Sequence, residues 1–287
     1  MIPYFNGHLF DLPIFNVPIH LFGVLVATGV IVGDRIVVQQ GRRRGLDERD
    51  TKYLNVRIVI GGFIVAHLVS VLFYFPERIR ENPFVLLNPF AGLSSFGGFL
   101  GAFLSFMWFT RRAEVPRLQY ADSVALGLSI GWIFGRTGCF TAHDHPGRHT
   151  TFFLAVQYPG PGGPRHDLGL YELLFTIVLA AFLFVYNRKL RPPGRIIGIA
   201  ALAYAPVRFG LDFLRATDVS RPDQRYLGLT PAQWACIATA ALAIYLLRRS
   251  MQQPPSTPSH PLPAKSDPHS DAAPPPDHTP PETPSSS

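Results

Sequence analysis

The sequence is poor in cysteine, with two in 287 residues. Cys139 and Cys236 are too few for a disulfide framework, and their spacing matches no zinc-binding pattern. No metal or other cofactor is expected. Lysine and arginine are absent from the first 18 residues. Without a positively charged leader region no cleavable secretion signal is expected, and the first apolar block should serve as its own insertion signal. The sequence shows no internal repeat, which sets aside solenoid and propeller architectures.

What the sequence does have is apolar residues in blocks. Mean hydropathy is +0.18, and the apolar residues gather in runs of roughly 18–22, the length that crosses a hydrocarbon core as a helix. Seven blocks qualify, running approximately Ile19–Val38, Leu54–Phe75, Ser94–Phe109, Ala121–Thr141, Gly169–Tyr186, Ile196–Ala216 and Pro231–Leu247. Lipid offers the backbone no hydrogen-bond partners, so each block is expected to be a helix. One or two buried core helices of a soluble protein could mimic such blocks, but seven in series point to an all-α, polytopic membrane protein.

The formal charge of +7 suggests a nucleic-acid partner until the charges are mapped. Arg42, Arg43, Arg44, Arg49 and Lys52 follow the first block. Arg111, Arg112 and Arg117 follow the third, Arg188, Lys189, Arg191 and Arg195 the fifth, and Arg248 and Arg249 the seventh. Cytoplasmic loops collect Lys and Arg. The expected topology therefore has the N-terminus outside, the C-terminus in the cytoplasm and about seven crossings of a bacterial inner membrane. The basic balance suits anionic headgroups of the inner leaflet, and no nucleic-acid partner is expected.

Residues 1–251 are expected to form the membrane domain. Residues 252–287, rich in Pro, Ser, Asp and His, cannot bury enough apolar surface to fold and read as a disordered cytoplasmic tail. The longest external stretch, Asp144–Leu168, contains Pro159, Gly160, Pro161, Gly162, Gly163 and Pro164 and reads as an irregular loop with turns. Gly127, Gly131 and Gly135, four apart, form a ladder that lets another helix approach closely. Gly97, Gly98 and Gly101 either pack in the same way or let a lipid headgroup reach bare backbone N–H groups.

Two charges lie inside apolar blocks, where each costs at least about 2.5–3.5 kcal/mol on insertion scales. Arg208 belongs to a series, Tyr204, Arg208, Asp212 and Arg215, that falls within roughly an 80° arc of one helix face. Either Arg208 and Asp212 neutralise each other at i, i+4, or the stripe faces a functional cavity. Counting about 1.5 Å per residue places Arg136 some 22 Å and Arg208 about 18 Å from the inner ends of their blocks. Gly97, Gly98, Tyr171 and Glu172 reach the same outer depth. Two arginines at that depth suit a phosphate, which guanidinium binds in bidentate fashion, and the phosphates available there are phospholipid headgroups.

These motifs resemble the prolipoprotein diacylglyceryl transferase family. Gly135-Arg136-Thr137-Gly138-Cys139-Phe140 with Asp144, Gly147 and Arg148 is similar to the family signature G-R-I-G-N-F-I-N-G-E-x-x-G-R. Tyr204-Ala205-Pro206-Val207-Arg208 with Asp212, Phe213, Leu214, Arg215 and Asp218 is similar to Y-x-x-x-R-x-x-x-E-F-x-R-x-x-D. Weaker pieces are Ser95 through Gly101, His166 through Tyr171-Glu172, and Gly228 through Trp234. The resemblance implies transfer of the sn-1,2-diacylglyceryl group of phosphatidylglycerol to the lipobox cysteine of prolipoproteins. It further implies that Arg136 holds the phosphate and Arg208 stabilises the departing glycerol phosphate. Tyr204 and Glu172 would support the arginines, Gly138 and Gly147 would allow close backbone approach, and Cys139, Asp144, Arg148 and Asp212 would complete the substrate site.

The chain departs from the family pattern at four places. Phe96 stands where the family has a histidine before the Gly-Gly pair, and phenylalanine cannot accept a proton. Cys139 replaces an asparagine, Phe22 a tyrosine, and Asp144 a glutamate. Cys139 is expected to be a small residue packed beside Gly138, in preference to a thiol, activated by Arg136, that transiently accepts the lipid. Two explanations compete: another group or water deprotonates the thiol, with His20, His143 and His145 as candidates, or the chain is a paralogue that binds phospholipid or lipoprotein precursors without transfer. A transporter, a third reading, is disfavoured because the charged positions occupy one half of the bilayer.

Overall fold

The computed structural model describes residues 1–5, 7–12, 17–88, 92–159, 163–219 and 225–254, with backbone alone for 8–12 and 17–19. Gly160, Pro161 and Gly162 of the external stretch, and the tail beyond 254, lie outside the described residues.

Each apolar block falls on a helix. These are α1 (Leu21–Arg43), α2 (Glu48–Val69, prolonged by a π-turn over Ser70–Tyr74), α4 (Ser95–Arg112), α5 (Arg117–Ala142), α6 (Leu168–Tyr186), α7 (Arg195–Leu211) and α8 (Pro231–Met251). A short α3 (Pro76–Glu81) lies between α2 and α4. Leu21–Arg43, Glu48–Tyr74, Leu168–Tyr186 and Arg195–Leu214 are long and apolar enough to cross a membrane by length and composition. Large apolar side chains such as Ile60, Phe63, Phe103, Trp108 and Val178 lie exposed along the helices, as lipid-facing surfaces require.

Polar side chains fix the helix ends. Asp47 caps α2, Ser94 caps α4 and Asp167 caps α6, each accepting from a backbone N–H of the first turn. Helix α7 starts at Gly194 with no cap of its own. Asp122 of α5 supplies one across the interface, accepting from Gly194 N and Ile197 N, both at 2.9 Å. Arg44, just past the end of α1, is buried and donates to Asn187 Oδ1 at 2.9 Å and to Gln40 O at 3.2 Å, which ties the ends of α1 and α6.

Small residues set which helices touch. Helix α1 packs along α5, and α2 along α4. A Cβ at Gly29 would stand 2.9 Å from Gly131 O, and one at Gly33 would stand 3.2 Å from Gly127 O, so two rungs of the expected ladder bring backbone against backbone. The third rung, Gly135, faces open space, with nothing within 4 Å of its Cβ position.

The molecule is mostly helical but not all-α. Strands β1 (Ile2–Pro3), β5 (Val156–Gln157), β6 (Arg165–Asp167) and β4 (Pro146–His149) form one sheet in that order, and β2 (His8–Leu12) pairs with β3 (Val17–His20). The expected irregular loop therefore carries three short strands. A segment lying over the ends of α1, α5 and α6 must satisfy its backbone groups, and pairing with itself and the N-terminus does so. The polar stripe is also interrupted. Helix α7 stops at Leu211, a 3₁₀ turn takes Asp212–Leu214, and Arg215 is extended, so Arg215 leaves the expected helix face.

Candidate functional site

The two arginines meet through one carboxylate. Arg136, on the last turns of α5, places Nε 2.7 Å from Glu172 Oε2. Arg208, on α7, places Nε 3.2 Å from Glu172 Oε1. Tyr204, one turn before Arg208, donates from Oη to Glu172 Oε2 at 2.9 Å. Glu172 sits on the first turns of α6 and is 1% exposed, so three helices converge on a carboxylate withdrawn from solvent. Such a group is costly unless its charge and lone pairs are matched, and here both arginines and a phenol match it.

Arg208 has a second partner. Its Nη1 lies 2.7 Å from Asp212 Oδ1, and Arg215 Nη1 lies 3.8 Å from the same oxygen. The other Asp212 oxygen accepts from the Thr230 hydroxyl. Thr230 is the N-cap of α8 and forms a capping box with Gln233. The expected i, i+4 neutralisation of Arg208 by Asp212 is thus present and coexists with the bridge to Glu172. Three guanidinium groups thus face these two carboxylates.

An aromatic wall completes the cluster. The Arg136 guanidinium stacks on Trp132, 4.5 Å from the ring centroid. Trp132 in turn meets Phe99 of α4 at 4.9 Å and Tyr204 at 6.4 Å. Its indole Nε1 is buried with no hydrogen-bond partner among the described residues. A buried donor without an acceptor is costly.

The remaining expected residues divide. Cys139 belongs to the cluster: Arg136 Nη1 donates to its Sγ at 3.7 Å. Asp144 is exposed just beyond the end of α5 and pairs with His145. Gly138 packs against the Phe22 ring, 2.9 Å from its Cβ position. Gly147 of β4 bridges to Arg215, and its Cβ position lies 2.7 Å from His166 Cβ and 2.8 Å from Leu214 O. For both glycines the close approach observed is by protein. Arg148 lies exposed on β4. Gly97 is pressed into α2, 2.7 Å from Val65 O, whereas the nearest atom to a Cβ at Gly98 is Ala66 Cβ at 3.8 Å. Phe96 is half exposed at the start of α4.

Sequence reasoning missed Trp132, Thr230 and the pairing of His143 with Asp167. Trp132 lies four residues before Arg136, on the same helix face. The Thr-x-x-Gln box at Thr230 ahead of an apolar run was a visible start signal. His143 has φ 49° at the end of α5, and its Nδ1 lies 2.8 Å from Asp167 Oδ2 beneath the Tyr4, Phe5 and Tyr158 rings. That burial removes His143 from the candidate bases. His20 is exposed, lining an opening of about 370 Å³ with Tyr4, Gly7, Phe22, Thr141, Ala142 and Asp144.

The family model described as prolipoprotein diacylglyceryl transferase matches residues 9–249. The phosphatidylglycerol–prolipoprotein diacylglyceryl transferase of Polynucleobacter asymbioticus is 33% identical over 240 residues, covering 81% of this chain and 92% of that protein. The proteins of the same name from Nitratidesulfovibrio vulgaris and Pseudomonas fluorescens are 32% and 28% identical, covering 80% and 91% of this chain and 87% and 99% of theirs. With the match running through every long helix that builds the arginine cluster, the chain belongs to the prolipoprotein diacylglyceryl transferase family.

Proposed function

We propose that this protein transfers the diacylglyceryl group of phosphatidylglycerol to the lipobox cysteine thiol of prolipoproteins, the first step of bacterial lipoprotein maturation. The observation that carries this is the pair of guanidinium groups, Arg136 and Arg208, held on opposite oxygens of the buried Glu172 carboxylate. A phosphodiester headgroup carries one negative charge, which two fixed guanidinium groups are suited to bind. The cysteine thiol gives its proton to water, its sulfur attacks the glyceryl carbon bearing the phosphate, a C–S bond forms, the C–O bond breaks, and glycerol phosphate departs with the electron pair.

Arg136, stacked on Trp132, holds the phosphate. Arg208 stabilises the second negative charge that develops on the leaving group, a contribution of a few kcal/mol when the donor is preoriented. Glu172 and Tyr204 keep both guanidinium planes fixed before substrate arrives. Gly98, unlike Gly97, leaves room for a headgroup at the start of α4.

The membrane arrangement belongs to this reading. Residues 1–251 cross a bacterial inner membrane seven times, with the N-terminus outside and the tail from 252 in the cytoplasm. This puts the cluster level with the outer leaflet, where both substrates are accessible. Lys and Arg at the opposite helix ends, such as Arg42, Arg43, Arg111, Arg112, Arg248 and Arg249, support it.

The test is complementation of a transferase-depleted bacterium, with growth expected to return. Failure of a well-expressed, inserted protein would sink the reading. A second reading rests on Phe96, which puts no imidazole at the start of α4: a paralogue that binds phospholipid without transferring it. Phosphatidylglycerol binding with no release of glycerol phosphate would establish that alternative.

A further inference from the structure

Cys139, Asp144 and His145 each offer one ligand atom, and these atoms lie within 4.8 Å of one another. In sequence they are scattered across the end of α5 and the turn beyond it. The turn is made by His143, whose positive φ reverses the chain at the end of the helix. That reversal brings Asp144 and His145 back over the Cys139 thiol. A thiolate, a carboxylate and an imidazole are a donor set suited to zinc. Catalytic zinc sites hold three protein ligands and leave a fourth position open. The Asp144 and His145 side chains, 43% and 17% exposed, pair with each other, and a zinc ion would replace the proton they share, moving the two ligand atoms apart to tetrahedral spacing.

We propose that Cys139, Asp144 and His145 bind a zinc ion whose open position takes the cysteine thiol of the incoming prolipoprotein. The proposal rests on the transferase reading and answers a need it leaves. Phe96 supplies no base at the start of α4 and His143 is enclosed, while His145, whose ring lies within 4.8 Å of the Cys139 thiol, acts here as a metal ligand and not as the base. A thiol that coordinates zinc gives its proton to water and is held as thiolate. This thiolate attacks the glyceryl carbon, forms the C–S bond, and the C–O electron pair leaves with glycerol phosphate. The position fits that geometry. Cys139 Sγ is 3.7 Å from Arg136 Nη1, so with zinc–sulfur bonds of about 2.3 Å the client sulfur lies at most about 8 Å from the guanidinium that holds the phosphate. The opening of about 370 Å³ lined by Asp144, His20 and Phe22 gives access from the same side. Where the family pattern has asparagine and glutamate, this chain has Cys139 and Asp144, so the set belongs to this sequence rather than to the family signature.

The experiment uses the full chain in detergent, stripped with chelator, reloaded with zinc alone, and freed of excess metal by gel filtration. A single zinc per chain is expected. Cys139→Ser and His145→Ala should each lower retained zinc at least tenfold with an unchanged thermal midpoint, while Cys236→Ser should retain it. Zinc content that is nil in the wild type, or equal in all three variants, overturns the site. Cobalt in place of zinc should give a thiolate charge-transfer band in the near ultraviolet that about doubles when a lipobox cysteine peptide is added and is unmoved by its serine analogue. A band unaffected by the cysteine peptide overturns the role in holding the client. Transfer by the stripped protein as fast as by the zinc-loaded protein overturns the proposal and leaves the transferase reading intact. A doubled cobalt band with no thioether formed by the zinc-loaded protein sinks the transferase reading and leaves the metal site standing.

Discussion

Glu172 and Arg136 form a buried ion pair, Oε2 to Nε 2.7 Å, with side chains 2% and 8% exposed. Because the other Glu172 oxygen faces Arg208, this one carboxylate holds two guanidinium groups in place before any phosphate arrives. Removing its charge leaves buried cations uncompensated, at a cost of about 3–5 kcal/mol. Glu172→Gln is expected to lower the thermal midpoint in detergent substantially and to abolish transfer. Added glycerol phosphate should restore part of the midpoint, since an anion can take the vacated role. A midpoint equal to wild type would show that Glu172 does not organise the arginines.

Thr230 joins α8 to the site. Its hydroxyl both caps α8 and donates to Asp212, which orients Arg208. Thr230→Ala should cost about 1 kcal/mol as a lost cap and lower the transfer rate several-fold by releasing Asp212. Thr230→Ser retains the hydroxyl and should behave as wild type. Equal rates for the alanine and serine variants would separate the cap from the site.

Gly97 and Gly98 are adjacent and have different surroundings. A Cβ at Gly97 collides with the α2 backbone, and one at Gly98 meets only Ala66 Cβ at 3.8 Å. Gly97→Ala is expected to lower stability, and Gly98→Ala to keep it while lowering transfer by weakening headgroup approach. The discriminating measurement is thermal midpoint beside phosphatidylglycerol KM. A Gly98→Ala protein with wild-type KM would assign both glycines to packing.

Asp218 anchors the external sheet to the segment after α7. It accepts from Arg165 at 2.8 and 2.5 Å and lies 3.2 Å from His149. Arg165 holds its carboxyl well below the ordinary carboxylate range. A depressed carboxyl contributes its stabilisation above its unfolded value and loses it as pH falls through the folded one. The pair should therefore be intact throughout the neutral range and fail only in strong acid. Proteolysis of the 144–168 segment should be flat between about pH 5 and 8 for wild type and faster at every such pH in Asp218→Asn. A wild-type rate that rises between those values would contradict the pairing.

The arginine cluster was legible because charge inside an apolar block is expensive, so Arg136 and Arg208 had to have partners, and Tyr204 and Asp212 lay at helical spacing from Arg208. Glu172 was found at the same depth, but that it bridges both arginines depends on how α5, α6 and α7 pack. The strands were not legible. They are 2–5 residues long, and Ile2 pairs with Val156, a contact that no local pattern encodes. Arg215 was misplaced because the helical count was continued through Asp212–Leu214, where the backbone has already tightened to a 3₁₀ turn. Cys139, Asp144 and His145 have no motif spacing, since their proximity comes from the left-handed turn at His143, and although histidine is enriched in that conformation among non-glycine residues, it adopts it too rarely to mark the turn.

Replacing each arginine by lysine separates a phosphate grip from simple charge balance. Lysine keeps the positive charge, so insertion and pairing with Glu172 or Asp212 should survive in Arg136→Lys and Arg208→Lys. It loses the planar fork that binds two oxygens at once, and at position 136 it also loses the stacked contact with Trp132. If the arginines only balance carboxylates, both variants should transfer at near-normal rates. If they hold a phosphate whose charge grows as the C–O bond breaks, losing one oriented donor costs a few kcal/mol in the transition state, about a hundredfold or more in rate. The split between constants distinguishes the two positions. Arg136, which holds the phosphate throughout, should raise KM and lower kcat when replaced, while Arg208, whose partner is the leaving group, should lower kcat with KM little changed. Peptide-lipidation kinetics for both variants, beside their thermal midpoints, measure this. Wild-type kinetics in both would refute the roles assigned to the cluster.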